Sequence, residues 1–317
     1  MDGKVLVTGG AGFIGSSLVD KLMLLDYRVK VIDNLSSGRK ENINYHLNRD
    51  SFEFIEADLL KDDISQYFEG VDEVWHLAAN PNVKSGLSNT KDMIDQNILV
   101  TYNVLEAMRK NNVKKINFTS SSVVYGESKT IPTPENYSPL MPISLYGASK
   151  LASEALISAY SSSFGIKGTI FRLANVVGPR SDHGVIHDFI MKLGENKNTL
   201  KILGDGNQKK SYIYVDDCVE AMVLASNSKD DVGVFNVGSD DYIDVKEIAE
   251  AVSKAMGLQP VLEFGSEDRG WKGDVPVMLL ATDKIKSLGW KLNYNSLEAV
   301  KLTAEKIVSR SKLSGSQ

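Results

Sequence analysis

The chain runs from Val5-Leu6-Val7-Thr8 straight into Gly9-Gly10-Ala11-Gly12-Phe13-Ile14-Gly15. No other stretch restricts the fold as much. The glycines read as G-x-G-x-x-G from Gly10 or as G-x-x-G-x-x-G from Gly9. Either way the backbone turns sharply and comes close to an anion, leaving no room for a Cβ. Ile14, Leu18, Leu22 and Leu25 then recur at three- to four-residue spacing, the stripe of an amphipathic helix. A helix that starts on such a turn aims free N–H groups and its positive dipole end at a phosphate. A tight turn with no ligand needs no such setting. Strand, glycine turn and helix in this order predict a dinucleotide-binding unit.

The alternation continues. Val29-Lys30-Val31-Ile32, Phe52-Glu53-Phe54-Ile55, Val74-Trp75-His76-Leu77, Ile116-Asn117-Phe118 and Thr169-Ile170-Phe171 read as strands, several of them separated by helix-length stretches. Strands alternating with helices predict an α/β fold with a doubly wound parallel sheet of the Rossmann kind. The pattern loosens after Gly178. Leu200–Gly206, Val234–Ser239 and Val261–Asp274 suggest a smaller α/β substrate-binding region interleaved with the sheet domain. The expected division is a dinucleotide-binding domain over 1–178, a mainly substrate-binding region over 179–308, and a flexible polar tail over 309–317.

The second strand ends in Asp33, eighteen residues after Gly15. A carboxylate there accepts hydrogen bonds from the adenosine ribose and repels a 2′-phosphate, which selects NAD over NADP. Arg39 and Lys40 follow in the same loop, where a cation would accommodate that phosphate, and an Asp that merely begins a turn is the lesser alternative. Asp58, just past the third strand, is placed to meet the adenine edge.

Tyr146-Gly147-Ala148-Ser149-Lys150 sets a phenol and an ammonium four residues apart, on one face of a helix. The fifth strand ends in Thr119-Ser120-Ser121-Ser122, and open α/β sheets bind ligands at that edge. Bringing a phenol from about 10 to about 7 takes roughly three pKa units, or ~4 kcal/mol. A nearby ammonium and a positive nicotinamide ring together supply that much. Y-x-x-x-K alone is common by chance. Behind a dinucleotide turn and a hydroxyl-rich strand end it marks a proton-transfer site.

Other features remove function classes. Net charge is −5, with Lys and Arg scattered, so no basic stripe for nucleic acid is present. Cys218 is the single cysteine, which forbids an internal disulfide and fits a reducing compartment. It opens an apolar stretch and reads as a small buried hydrophobe. No apolar run reaches membrane-spanning length, and the first residues lack the pattern of a secretory leader. A cytoplasmic protein is expected. His46, His76, His183 and His187 do not cluster at metal-ligand spacing, so no metal is assigned, and Trp271 and Trp290 read as packing residues.

Taken together, these motifs resemble the extended short-chain dehydrogenase/reductase family, and within it the UDP-glucose 4-epimerase branch. The similarity runs from Lys4 to about Trp290. It takes in the G-G-A-G-F-I-G turn, Asp33 to Gly38, Asp58-Leu59, His76-Leu77-Ala78-Ala79, Asn97, Ser120 to Gly126, Tyr146/Lys150, Asn175, Ser211 to Asp217 and Gly273-Asp274. The resemblance implies that Gly9, Gly12, Phe13, Ile14 and Gly15 hold the NAD pyrophosphate. It further implies that Asp33, Asn34, Leu35, Ser36, Ser37 and Gly38 surround the adenosine ribose, and that Asp58 and Leu59 meet the adenine. Leu77, Ala78, Ala79 and Asn97 then lie beside the cofactor, with Tyr146 and Lys150 at its reactive end. It makes Ser121, Tyr146 and Lys150 the catalytic set, with Ser121 and Tyr146 also touching the sugar. Asn175, Val185, Gln208, Tyr212 and Arg269 fall to the nucleotide half of a UDP-hexose.

The departures sort the branches. The 4,6-dehydratases carry Asp-Glu after the hydroxyl residue, where this chain has Ser122 and Val123, and the decarboxylases need Glu where Val123 stands. Valine moves no proton. Lys210 stands where many relatives have Arg, and Met278 where many have a bulky aromatic, leaving room for an N-acetyl group at C2. The implied activity is NAD-dependent 4-epimerisation of a UDP-hexose through a transient 4-keto sugar. Another nucleotide-sugar epimerase, a dehydrogenase/reductase of the same family, and a non-catalytic NAD(P) sensor are the other readings.

A homodimer is expected through helices near 90–111 and 146–164. The first carries two apolar stripes, Ile94/Ile98/Thr101/Leu105 and Met93/Val100/Val104/Ala107. The second carries Leu151, Ala155 and Ala159 alongside Leu156 and Tyr160. A surface helix needs only one such stripe for its own core, and a two-fold pairing of the spare sides is also what the resemblance implies.

Overall fold

Branched side chains fill a pleat that is covered on both faces, and the six apolar runs read above all fall in strands of one sheet. A computed structural model describes residues 3–82, 88–267, 269–270 and 275–314. Trp271, Gly273 and Asp274 lie outside the described residues. The first part of the chain alternates β1 (Lys4–Thr8), α1 (Phe13–Leu24), β2 (Arg28–Asp33), β3 (Phe52–Glu56) and β4 (Glu73–His76). It continues through α2 (Thr90–Met93), α3 (Val100–Lys110), β5 (Lys115–Ser121), α4 (Leu145–Phe164) and β6 (Lys167–Leu173). Next come β7 (Asn175–Val177), α5 (Val185–Glu195), β8 (Thr199–Ile202), β9 (Lys209–Lys210), β10 (Tyr212–Tyr214) and α6 (Val215–Ala225). The last elements are β11 (Val232–Val237), β12 (Ile243–Asp244), α7 (Val245–Met256), β13 (Val261–Phe264), β14 (Val277–Met278), α8 (Asp283–Ser287) and α9 (Ser296–Ser314).

The central sheet has seven strands in the order β11-β6-β5-β4-β1-β2-β3. The pairs from β3 across to β5 are parallel. The order reverses at β1, and the space beyond the carboxyl ends of β1 and β4 is where such sheets take their ligand. One difference from the sequence reading is β11. Val234–Ser239 reads as part of the smaller region, but Val232–Val237 adds the seventh strand beside β6. Its pairing partner is about sixty residues away, and local periodicity carries no trace of it.

Contacts divide the chain into two compact units. One comprises Met1–Gly126, Pro139–Arg172 and Ala221–Phe235; the other comprises Glu127–Ser138, Leu173–Glu220 and Asn236–Gln317. Within the second, β10 pairs with β7, β9 lies between β12 and β14, β13 pairs with β8, and α5, α7 and α9 pack on one another. Helix α9 runs to Ser314, so the flexible tail expected from Ser309 is helical over its first residues. Buried Ala304 and Val308 anchor the preceding turns, and a polar surface face does not stop a helix so anchored. Among the described residues no helix is long and apolar enough to cross a membrane.

The helix expected over 90–111 is not uniform. Ile94–Leu99 between α2 and α3 is π-helical, a wider turn that shifts the faces of the helix against each other. Met93, Val100, Val104 and Ala107 are buried in the unit's own core. The second apolar stripe therefore packs within the same chain, and Val104 has no part in a subunit seam. What stays exposed is Ile94, Leu99 and Tyr102, with Phe164, Ala155 and Ala159 on α4.

Candidate active site

Helix α1 begins at Phe13 with Gly12 as its N-cap and no side-chain cap, so its first N–H groups are not answered by a capping side chain. The turn before it is closed by two near contacts. A Cβ on Gly15 would lie 2.0 Å from the Gly9 carbonyl oxygen. Gly9 itself sits at φ +70, and a Cβ there would lie 2.7 Å from the Ala78 nitrogen. The cradle is thus pressed against Leu77-Ala78, where Leu77 N–H donates to the Thr8 carbonyl at 3.1 Å. These are the groups a pyrophosphate needs.

Asp33 ends β2 beside that turn. Its carboxylate accepts from Ala11 N–H at 3.0 Å and Leu35 N–H at 2.9 Å. A carboxylate offers about four acceptor positions, which leaves two for the vicinal hydroxyls of a ribose. Burial pushes this carboxyl up against the pull of the two N–H groups. Gly38 folds back so that a Cβ would lie 2.8 Å from Asp33 Oδ1. Asn34 hydrogen-bonds Asp58; that bond, Leu60 N–H and Lys61 outweigh the burial of Asp58 and lower its pKa. Lys40 lies over the Phe54 ring, 5.4 Å from its centroid. The structure therefore joins the phosphate turn, Asp33 to Gly38 and Asp58-Leu59 along one edge, as a single dinucleotide requires. Asp33→Ala is expected to weaken NAD binding at least ~10-fold, the scale of lost charged hydrogen bonds, and to narrow the preference over NADP. Wild-type protein that purifies with NADP would overturn this and point to Arg39 and Lys40.

Ser144 caps α4, its hydroxyl accepting from Gly147 N–H at 3.1 Å, and the cap sets the first turn so that Tyr146 and Lys150 share a face. Tyr146 is half-buried. Burial pushes its phenol up to about 12, against the pull of a hydrogen bond with Ser121. Lys150 is buried; desolvation brings its ammonium down to about 7, opposed by Glu154. Its Nζ donates to the Thr119 carbonyl at 2.9 Å and lies 5.9 Å from the Tyr146 ring centroid. A unit charge about 6 Å from a phenolate is worth roughly 3 kcal/mol at an effective dielectric near 20, about two pKa units. Lysine alone does not make Tyr146 a base at neutral pH. The rest must come from a second positive charge.

Behind the pair lies a buried chain of hydrogen bonds. Thr101 Oγ1 donates to the Asn97 carbonyl at 2.6 Å, which uses its one proton. His76 Nε2 must then donate to Thr101 at 3.1 Å, and Nδ1 accepts from Thr8 Oγ1 at 2.7 Å. Burial drags His76 down to about 3, so it stays neutral. Asn97 in turn accepts from Asn80 N–H at 2.8 Å and donates to Ser149 Oγ at 2.8 Å. Asn97 thus braces α4 and the loop after β4; its side chain is buried. Sequence reasoning treats His76 as a non-ligand and misses this role. Only the pairing of β1 with β4 brings Thr8 and His76 together.

In the second unit, Tyr212 pairs in register with Asn175 across β10 and β7. Asn175 Nδ2 donates to the Ser211 carbonyl at 3.1 Å. Gln208 is buried, with Nε2 and the Arg269 carbonyl both crowding Gly204, and Arg269 pairs with Glu127 at 2.6 Å. Val185 opens α5. Met278 is buried in β14, beside Lys210. Cys218 is buried and its thiol is pushed up by that burial, so it is no nucleophile. Among the described residues no cluster of His, Cys, Asp and Glu is arranged to hold a metal ion.

Residues 5–238 match the family model described as the NAD dependent epimerase/dehydratase family. A putative UDP-glucose 4-epimerase of Methanocaldococcus jannaschii is 38% identical over 94% of this chain and 96% of its own. Among solved structures, a UDP-galactose 4-epimerase is 43% identical, with a TM-score of 0.87 over 97% of this chain and 99% of that one. The UDP-glucose 4-epimerase of Thermus thermophilus in complex with NAD is 33% identical, with a TM-score of 0.85 over 96% and 99%.

Proposed function

This chain belongs to the NAD dependent epimerase/dehydratase family, and we propose that it is a UDP-hexose 4-epimerase. The observation that carries the reading is the hydroxyl of Ser121 hydrogen-bonded to Tyr146, with Lys150 one helical turn behind, and no acid at the two positions after Ser121. Ser122 is buried and Val123 carries no proton, so elimination of water and decarboxylation lack their acid and base. NAD, which the Gly9–Gly15 turn and Asp33 would hold, would supply a reversible hydride acceptor for C4 and, in its oxidised ring, the second positive charge beside Tyr146. Tyr146 takes the proton of the 4-hydroxyl and later returns it to the 4-keto sugar. Ser121 shares the hydrogen bond to that oxygen, and Lys150 holds the charge of the phenolate. Asn175, Val185, Gln208, Tyr212 and Arg269 hold the nucleotide half.

The test is to denature the purified protein, identify the released cofactor, and screen UDP-glucose/UDP-galactose and the N-acetylated pair for interconversion without added NAD. NAD in the supernatant and interconversion of either pair are expected. Net oxidation or reduction of a nucleotide sugar, without interconversion, would replace the epimerase by a dehydrogenase/reductase.

The protein is further proposed to pair two-fold through the exposed Leu99, Tyr102, Ala155, Ala159 and Phe164. Their exposure on adjoining helices supports this, since small and aromatic residues let two helix pairs approach. Light scattering should give twice the chain's 34.8 kDa, and Ala159→Glu should halve that. A single species near 34.8 kDa at micromolar concentration removes the dimer. The one buried cysteine fits a reducing, cytoplasmic setting.

A further inference from the structure

The end of β5 answers α4 residue by residue. Thr119, Ser120 and Ser121 are consecutive, while Tyr146, Lys150 and Glu154 follow one another at four-residue intervals. The Thr119 carbonyl accepts from Lys150 at 2.9 Å, and Ser120 Oγ donates to Glu154 Oε1 at 2.5 Å. Ser121 hydrogen-bonds Tyr146. Arg172, from β6, closes the set: its Nε donates to Glu154 Oε1 at 3.1 Å and its Nη2 to Oε2 at 2.7 Å. Its guanidinium also lies over the Tyr125 ring, 4.8 Å from the centroid. Glu154 is 6% exposed and Arg172 5%, so neither charge has water to lean on. A carboxylate is kept in such a place only with its charge matched and its oxygens bonded.

We propose that Glu154, clamped by Arg172, is a positioning residue for the reaction: it ties the end of β5 to α4 and supplies the negative charge that keeps the Lys150 ammonium charged beside Tyr146. The inference rests on the reading of Tyr146 and Lys150 as the proton-transfer pair. Among the described residues the groups around Lys150 are few. Tyr146 and Glu154 come from its own helix, the Phe118 ring and Thr119 carbonyl from β5, and neutral His76 from β4. Arg172 stands beyond Glu154 on β6. Glu154 is the anion among them, and it alone opposes the desolvation of Lys150. A negative charge near two coupled groups raises both of their apparent midpoints. Taking it away lowers both.

The experiment follows Tyr146 by phenolate absorbance across pH, each protein read against its own Tyr146→Phe partner, and runs the pH profile of turnover alongside. Glu154→Gln, close to isosteric, should move the midpoints toward acid by about half a pH unit or more. Arg172→Lys keeps the charge but loses the fork, and should leave them within about 0.2 unit of wild type. Equal shifts in both variants would mean that packing, not charge, is at work, and an unmoved Glu154→Gln would overturn the proposal outright. Should Glu154→Gln fail to fold, Glu154→Gln/Arg172→Gln leaves no lone charge in the core. It should shift in the same direction by less, and an unmoved double variant overturns the proposal as well. The titration needs no substrate. Shifted midpoints in a protein that does not epimerise would fault the proposed function alone.

Discussion

Tyr146→Phe is expected to lose at least ~100-fold in turnover while keeping its fold and its NAD, the scale on which a positioned general base acts. The substitution deletes one oxygen and leaves the ring, with Lys150 Nζ still 5.9 Å from its centroid. Among the described residues the Tyr146 hydroxyl has one partner, Ser121. Asp33, the glycine turn and the Asn97 brace stay intact, so cofactor retention should be unchanged. Because the lost interaction belongs to the transition state, kcat and kcat/KM should fall together. Steady-state rates on the preferred UDP-sugar, with NAD content measured after denaturation, decide it. Turnover at the wild-type rate would sink the assignment of Tyr146 as the base.

Gly15→Ala is expected to abolish retention of NAD and to lower the melting temperature by roughly 5 °C or more. The added methyl would lie 2.0 Å from the Gly9 carbonyl oxygen and 3.0 Å from Gly10 Cα, both backbone. Gly9 has nowhere to retreat, since it is already held at φ +70 against the Ala78 nitrogen. The turn must open or α1 must tilt, and either movement misplaces the N–H groups that face a pyrophosphate. Thermal melting with and without added NAD reads both effects. A Gly15→Ala protein that purifies with a full complement of NAD would show that the turn is not the phosphate site.

The parts of this molecule that rest on local chemistry were legible in its sequence. Val5 to Gly15, Asp33 and the four-residue step from Tyr146 to Lys150 each depend on neighbours in the chain, and each stands in the structure where spacing put it. What was not legible depends on distant pairing. Val232–Val237 looks like any alternating strand, and nothing near it says that it lies beside β6. Val104 repeats at helical spacing whether it faces a partner or its own core, and it faces the core. The wide turn at Ile94–Leu99 leaves a uniform helical pattern in the sequence. Glu154 continues the step of Tyr146 and Lys150, so the signal was present, but its meaning required Arg172 and Ser120.

The interleaving of the two units has a consequence for how the protein is made. Each unit is assembled from three separate segments, and the first is complete only when Phe235 is available. On a ribosome the chain emerges in order, so β1 to β6 are out long before β11 can join them. During that interval the row of N–H and C=O groups on β6 is an open edge, of the kind that pairs with other chains. Truncation anywhere before Val232 leaves that edge bare for good. Early termination, slow translation through 173–231, or proteolysis in that stretch should therefore show up as aggregation rather than as a smaller folded fragment.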